Sequence, residues 1–250
     1  MTYAKTPSEI ATMRECGKRL RTVTSILIPS IKSGQTTMAV EEYATKLLLE
    51  HGIEGSFKTV EGYKWNTCTA VNNQAVHTIP SSYVLKPGDV LTVDIGGLYH
   101  GYHTDWATTI IVDNVADTKK ERFLEAGQKA LALTLSRLKV GEYLSIVGET
   151  MQSQIEGAGY RVMKDLTGHG IGRELHEDPY IPNYVTHHKK KGYRIEDGFV
   201  AAIEVIYSQS TEKIIQTDPK SWSIDTADGS LAACFEHTVL VTQNGVDILT

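Results

Sequence analysis

The stretch VDIGGLYHGYHTDWATTIIV, residues 93–112, consists of two apolar runs that flank a glycine-rich turn. This pattern predicts a β-hairpin. With Tyr99 and His100 as the two loop residues, Asp94 lies directly opposite Asp105, and both side chains point to the same face of the sheet. A bulge at the glycines would shift this register. Residues 87–118 contain no Lys or Arg, so the two carboxylates must share a proton, find a distant basic partner or bind a metal ion.

The composition is typical of a globular protein. The chain has 250 residues, is 41% hydrophobic and carries a net charge of -5, with a pI near 6.0. This charge argues against a general nucleic-acid or membrane-surface binder. Three widely spaced cysteines indicate neither a disulfide framework nor a zinc ribbon. Because the sequence contains no leader pattern and no run of about 18 apolar residues, we expect a cytoplasmic protein.

Helical and strand patterns occur in the same order twice. Capping boxes mark two of the helix starts, at Thr6 with Glu9 and at Thr118 with Glu121. We expect helices from Thr6 to Pro29, from Thr36 to Gly52, from Thr118 onward, and between Ser145 and Glu156. We expect strands at residues 90–95, 107–112, 200–206 and 232–242.

Matching segments support an internal duplication. Gly34 and Gly141 are 107 positions apart, and so are Gly52 and Gly159. The segment LKPGDVLTVD aligns with IEDGFVAAIE at an offset of 110, which places Asp94 over the acid of AAIEVI. The pattern predicts an α+β fold in one catalytic domain, residues 1–250. Its two pseudo-symmetric halves, about residues 6–113 and 118–250, each contain two helices and a β-hairpin.

The second half supplies two more carboxylates within apolar strands, Glu204 in AAIEVI and Glu236 in ACFEHTVLV. Burying a single charge without a partner is costly. Four acids, Asp94, Asp105, Glu204 and Glu236, in such settings therefore predict a shared cation cluster between the halves.

Three histidines are candidates to join this cluster. His169 lies in LTGHGIG, His176 in LHEDP, and His77 in AVHTIP before a proline. Carboxylates with one imidazole suit Mn, Fe(II), Co or Zn. Since four acids exceed the charge of one divalent ion, we expect two ions about 3.5 Å apart that activate a water molecule for hydrolysis.

The motifs VDIG…TD, GHGIG…HEDP, AIE and EHTVLVT, in this order, resemble those of type I methionine aminopeptidases over essentially the whole chain. The resemblance implies the pita-bread fold, with helices packed outside a curved, mainly antiparallel sheet. It implies a dinuclear centre in which Asp105 and Glu236 bridge the ions. The implied metal ligands are Asp94, Asp105, His169, Glu204 and Glu236.

The resemblance also implies the activity and the roles of the site residues. The expected reaction removes the N-terminal methionine from nascent proteins and peptides with a small second residue, through attack of a metal-bridging hydroxide on the first peptide bond. Glu204 would also shuttle the proton. His176 would stabilise the developing oxyanion, and His77 would hydrogen-bond the scissile amide nitrogen.

The family's methionine pocket is apolar and aromatic, and Tyr63, Cys68 and Trp222 occupy the corresponding positions. Two departures border the substrate: Leu175 stands where the family has an aromatic residue, and Thr78 stands where it has glycine. Both bear on the strictness of methionine selection.

Two alternatives remain at this point. Xaa-Pro aminopeptidases and prolidases share the five ligands. The resemblance to those enzymes is weaker, because their chains are longer and carry an added N-terminal domain. A catalytically silent binding protein of this fold would have lost ligands, and all five are present.

We expect a monomer that acts on nascent chains, with no specific nucleic-acid or membrane partner. The basic run HHKKKGYR, residues 187–194, is interpreted as a solvated loop, with contact to ribosomal RNA as the alternative.

Overall fold

The computed structural model describes residues 3–186, 192–216, 218 and 221–250. In this part of the chain the helices are α1 (Pro7–Ser30), α2 (Thr37–Glu50), α3 (Thr118–Arg137) and α4 (Ile146–Gly157). The strands are β1 (Glu54–Gly55), β2 (Thr67–Val71), β3 (Gln74–Val76), β4 (Val90–Tyr99), β5 (Tyr102–Ile111), β6 (Arg161–Val162), β7 (Thr167–Gly170), β8 (Glu177–Pro182), β9 (Phe199–Ser208), β10 (Ile214–Ile215), β11 (Ile224–Thr226), β12 (Ala232–Thr242) and β13 (Gly245–Ile248).

Helix starts follow the local sequence closely. Thr6 caps α1 in the expected capping box with Glu9, and Thr36 caps α2. The N-cap of α3 is Asp117, where Thr118 was expected, and its carboxylate accepts hydrogen bonds from the backbone N–H groups of Lys119 and Lys120. An ionised carboxylate at this position also interacts favourably with the helix dipole, which favours Asp over the neighbouring Thr.

Ten strands form one sheet in which β1, β4, β5, β12, β9, β7 and β8 are successive neighbours, and every pairing is antiparallel. Strands β10, β11 and β3 form a second, small antiparallel sheet. These arrangements confirm the expected α+β fold with a mainly antiparallel sheet.

The helices cover one face of the large sheet. Leu91, Val93 and Ile95 of β4 pack in a core with residues of α1 and α2. Ala201 and Ile203 of β9 belong to a second core with residues of α3 and α4. Because side chains alternate along a strand, the residues between these apolar positions point to the opposite face.

The turns that precede β4 and β9 agree with the proposed duplication. Gly88 has a φ of 81° and Gly198 a φ of 89°. Both therefore adopt a left-handed backbone conformation that residues other than glycine rarely adopt. The division into halves at about residues 113 and 118 stays a prediction.

The β4–β5 hairpin has a different register from the expected one. Tyr99 pairs with Tyr102, so the loop residues are His100 and Gly101, and Asp94 lies opposite Ala107 instead of Asp105. Both loop residues have positive φ, 48° and 78°. A two-residue hairpin loop of this kind favours glycine at its second position, which Tyr99–His100 would not supply.

No helix among the described residues has the length and apolar character needed to cross a lipid bilayer.

Candidate active site

A row of carboxylates crosses the sheet on the face opposite the helices. Asp94 lies opposite Ala107, Ala107 opposite Glu236, and Glu236 opposite Glu204. Directly opposed residues share a face, so β4, β5, β12 and β9 present this row to one side. Asp105 lies two residues from Ala107 and therefore on the same face, diagonal to Asp94. The direct opposition expected for Asp94 and Asp105 was wrong, but the two side chains remain neighbours.

His169 completes the cluster from β7. It lies opposite Ala202 of β9, two residues from Glu204 and on the same face. Ligand atoms of Asp105, His169 and Glu236 all lie within 4.8 Å of one another. The five residues predicted as ligands line one cavity of about 310 Å³.

Burial perturbs the ionisation of these carboxyl groups. Asp105 and Glu236 are buried, and Asp94 and Glu204 are half-buried. Burial raises the pKa of Asp105 to about 7. Burial and the charge of Asp105 raise the pKa of Glu204 to about 8 and that of Glu236 well above its usual range. The cavity lining in the described chain contains no Lys or Arg, so no cationic side chain offsets this repulsion.

Two carboxylate oxygens identify the kind of group that fits here. Oδ1 of Asp94 and Oε1 of Glu236 are buried without a hydrogen-bond partner. An unpaired buried carboxylate oxygen is costly, and a divalent cation would satisfy both atoms. Four carboxylates and one imidazole form a donor set suited to Mn, Fe(II), Co or Zn.

The histidine is held in the orientation that a ligand needs. Its Nδ1 donates a hydrogen bond to the backbone oxygen of Gly170 at 2.9 Å, so Nε2 retains its lone pair. Burial lowers the pKa of His169 to about 4, and the ring is therefore neutral near neutral pH.

A threonine fixes the backbone of Asp105. Oγ1 of Thr238 accepts a hydrogen bond from the Asp105 N–H at 2.7 Å and donates one to the Asp105 carbonyl at 2.9 Å. Thr109 makes the corresponding pair of bonds to Cys234, at 3.0 and 2.8 Å. These hydroxyls flank the only backbone-paired positions of β5 and β12 in the described chain, residues 106–107 with 236–237.

The apolar end of the cavity contains the three predicted pocket residues Tyr63, Cys68 and Trp222. The rings of Tyr63 and Trp222 meet edge to face, with centroids 5.3 Å apart. The Tyr63 hydroxyl donates to the backbone oxygen of Thr67 at 2.8 Å and lies 3.1 Å from the Cys68 sulfur. Leu175 also lines this end.

His77 and His176 line the same cavity, and both rings are exposed to it. The ring of His176 lies 4.5 Å from that of His169. Partial burial in the cavity lowers the pKa of both His77 and His176. Both side chains nevertheless remain accessible to solvent. A neutral imidazole can donate one hydrogen bond and accept another.

Thr78 is absent from the described cavity lining; its buried hydroxyl hydrogen-bonds the Ser223 hydroxyl at 2.9 Å.

Several lining residues were not predicted from the sequence: Phe57, Val60, Val76, Asp165, Leu166, Thr167, Tyr180 and Ile206. Ile206 shares the face of Glu204 by strand alternation, which could have revealed it. Phe57 and Val60 lie in or beside a short 3₁₀ turn with no comparable periodicity.

Most of the basic run, residues 187–191, lies outside the described residues. Of the remainder, Arg194 packs over the ring of Tyr143, with 4.6 Å between the guanidinium carbon and the ring centroid.

The fold and the carboxylate cluster define a class of protein, the metallopeptidases. The family model described as Metallopeptidase family M24 matches residues 11–243. Methionine aminopeptidase 1 of Bacillus subtilis is 38% identical over 250 residues, which cover this whole chain and 99% of that relative. The chain therefore belongs to metallopeptidase family M24, in its methionine aminopeptidase branch.

Solved structures agree with this assignment. The methionine aminopeptidase of Thermotoga maritima is 36% identical, with a TM-score of 0.95 and coverage of 100% of this chain and 99% of that one. The prolidase of Pyrococcus furiosus shares the fold at 22% identity and a TM-score of 0.78, and the match covers 65% of its chain. The pita-bread fold expected from the motifs is thus confirmed.

Proposed function

We propose that this protein removes the N-terminal methionine from nascent proteins and peptides with a small second residue, by hydrolysis of the first peptide bond. The observation that carries the proposal is the carboxylate row with its unpartnered oxygens, which lies in the same cavity as an apolar, aromatic end. The full-length similarity to methionine aminopeptidases supports the choice of substrate.

In this proposal the site holds two divalent ions. The four carboxylates and one imidazole described above, Asp105 and Glu236 among them, would provide enough oxygen and nitrogen donors to hold such a pair. When bound, the ions supply Lewis-acid polarisation of the peptide carbonyl and activation of water. Cobalt, manganese, ferrous iron and zinc are all compatible with this donor set.

Glu204 is the proposed proton shuttle. Its carboxylate is half-buried and lines the cavity, so it is accessible to a water molecule and to the substrate. It takes a proton from the attacking water and later delivers one to the leaving amine.

The two exposed histidines are proposed to act on the scissile bond. His176 donates a hydrogen bond to the oxygen on which negative charge develops, and His77 hydrogen-bonds the scissile amide nitrogen. Both rings lie in the cavity, so neither needs to rotate out of the protein interior to reach the peptide.

The methionine side chain occupies the apolar end of the cavity. A thioether packs favourably against aromatic edges, which Tyr63 and Trp222 present, and Cys68 adds a polarisable sulfur. Leu175 gives this wall a smaller side chain than the aromatic residue typical of the family.

The test is a metal-reconstitution assay. The protein is stripped of metal, reloaded separately with Mn, Fe(II), Co or Zn, and assayed for release of the first residue from Met-Ala-Ser, Met-Lys-Ser and Ala-Pro-Ala. We expect cleavage of Met-Ala-Ser alone, with at least one of the four metals. Release from Ala-Pro-Ala would favour a prolidase-like activity, and failure of every metal to bind would contradict the enzyme proposal.

Glu204→Ala should abolish turnover, because it removes both a ligand and the proton shuttle. Glu125→Ala is the matched control, since Glu125 is an exposed carboxylate on α3 that pairs with Lys129. Retained turnover in Glu204→Ala would refute the role of Glu204.

We further propose that the protein works as a monomer in the cytoplasm. The three cysteines, Cys16, Cys68 and Cys234, are free and buried, which suits a reducing compartment. Contact between the basic run and ribosomal RNA stays a prediction, and co-sedimentation with ribosomes tests it.

A further inference from the structure

An ion pair joins Lys5, just before α1, to Glu177, the first residue of β8, which directly follows His176. Nζ of Lys5 lies 2.5 Å from Oε2 of Glu177, and the two side chains are only 14% and 22% exposed. Exposed ion pairs contribute little because water and salt screen them. This pair is shielded from solvent and joins residues 172 positions apart, so it can fix one segment against the other.

The Glu177 side chain also contacts the loop that precedes it, residues 171–176, which carries His176. Its second oxygen, Oε1, accepts a hydrogen bond from the backbone N–H of Glu174 at 3.1 Å. The Gly172 N–H donates to the Glu174 carbonyl, also at 3.1 Å. One carboxylate thus contacts both Lys5 and the backbone of Glu174, which directly precedes the cavity-lining residues Leu175 and His176.

Lys5 is itself held on two sides. Its backbone N–H donates to the carbonyl of Gly198 at 2.8 Å, just before β9. The next residue, Thr6, is the N-cap of α1. The ammonium group is therefore held between β9 and α1, whereas Glu177 is the first residue of β8 and directly follows the loop that carries His176.

The fit at Gly172 shows how closely Lys5 packs on the loop. A Cβ at Gly172 would lie 2.6 Å from Lys5 Nζ, 2.8 Å from Lys5 Cε and 2.9 Å from Glu177 Oε1. A side chain at this position would push the ion pair away from the loop without removing either charge.

We propose that Lys5 is a positioning residue for His176, acting through Glu177. The proposal rests on the proposed function, in which His176 stabilises the developing oxyanion. Such stabilisation requires a donor that is already aimed at the place where charge will appear. Lys5 holds the loop so that the His176 ring stays at this place, and it does not touch the substrate itself.

The first experiment compares Lys5→Met in the wild-type and His176→Ala backgrounds, with metal-loaded protein and Met-Ala-Ser. Lys5→Met keeps the apolar stem and removes the charge. A misplacement of about 1 Å can cost about 100-fold in rate, so we expect kcat to fall by roughly 10- to 100-fold. KM should change by less than about threefold, because the lost interaction belongs to the transition state.

In the His176→Ala background the same substitution should change kcat by less than about twofold, because residues that act as one unit are not additive. Arg14→Ala is the control: Arg14 on α1 forms an exposed ion pair with Asp247, and its loss should leave kcat unchanged. Equal losses from Lys5→Met in both backgrounds would overturn the proposal, since they would show a general structural effect.

Two further variants keep the test informative if Lys5→Met folds poorly. Gly172→Ala should lower kcat when Lys5 is present and should have a smaller effect in a Lys5→Ala protein, in which only the 2.9 Å approach to Glu177 Oε1 remains. The charge-swapped protein Lys5→Glu/Glu177→Lys should recover part of the activity that either single change removes. Absence of both effects would refute the role of Lys5. Failure of the wild-type protein to release methionine would instead contradict the proposed function itself.

Discussion

Replacing Thr238 by Val tests whether its hydroxyl group positions Asp105. Valine has nearly the same shape, but it cannot accept from the Asp105 N–H or donate to the Asp105 carbonyl. Thr238 is completely buried, so water cannot replace these bonds. The backbone N–H and carbonyl of Asp105 face β12 at a position where β5 and β12 are not paired backbone to backbone. The Thr238 hydroxyl is therefore their hydrogen-bond partner there.

The size of the effect follows from two backbone groups that lose their partners. A buried polar group left without a hydrogen bond costs about 1–3 kcal/mol. We expect Thr238→Val to lower the free energy of unfolding by about 3 kcal/mol. Thr238→Ser keeps the hydroxyl and loses one methyl group, which costs about 0.8 kcal/mol.

Urea denaturation of the metal-free proteins measures this difference, and titration with manganese measures the consequence for the site. We expect Thr238→Val to bind the metal more weakly than Thr238→Ser, because the Asp105 backbone can shift. Equal unfolding free energies and equal metal affinities for the two variants would refute the reasoning.

Three further predictions concern the cluster and its support. Ala107→Leu should fold but bind less metal, since Ala107 lies between Asp94 and Glu236 on the face that carries the proposed ligands; elemental analysis measures this. Glu41→Gln should lower the free energy of unfolding by about 2 kcal/mol, because buried Glu41 accepts hydrogen bonds from the N–H groups of Asn66 and Thr67; exposed Glu42→Gln is the control in urea denaturation. Chelation should lower the melting temperature and re-addition of metal should restore it, because a bound ion stabilises the folded state by mass action; an unchanged melting temperature would contradict a bound metal.

The sequence predicted those features that depend on local chemistry. The capping box at Thr6 specified the start of α1, and residues 232–242 were expected as a strand and form β12. The carboxylates could be identified because each is a charge within an apolar strand, where burial without a partner is costly. Their assembly at one place was expected from the predicted duplication, and the strand register places Glu236 and Glu204 opposite each other on the face that also carries Asp94 and Asp105.

The remaining features depend on geometry that sequence periodicity does not encode. The hairpin register changed by two residues because positive φ at His100 and Gly101 determined the loop. The role of Thr238 depends on the separation of β5 and β12, and that of Lys5 on contact between residues 172 positions apart. Neither has a signal in the neighbouring sequence, so only the folded chain reveals them.

The seam between β5 and β12 has an evolutionary consequence. The row of proposed ligands crosses this seam, with two aspartates on one side and two glutamates with a histidine on the other. If the halves arose by duplication, an ancestral half-length chain had to associate with a second copy to assemble the complete centre.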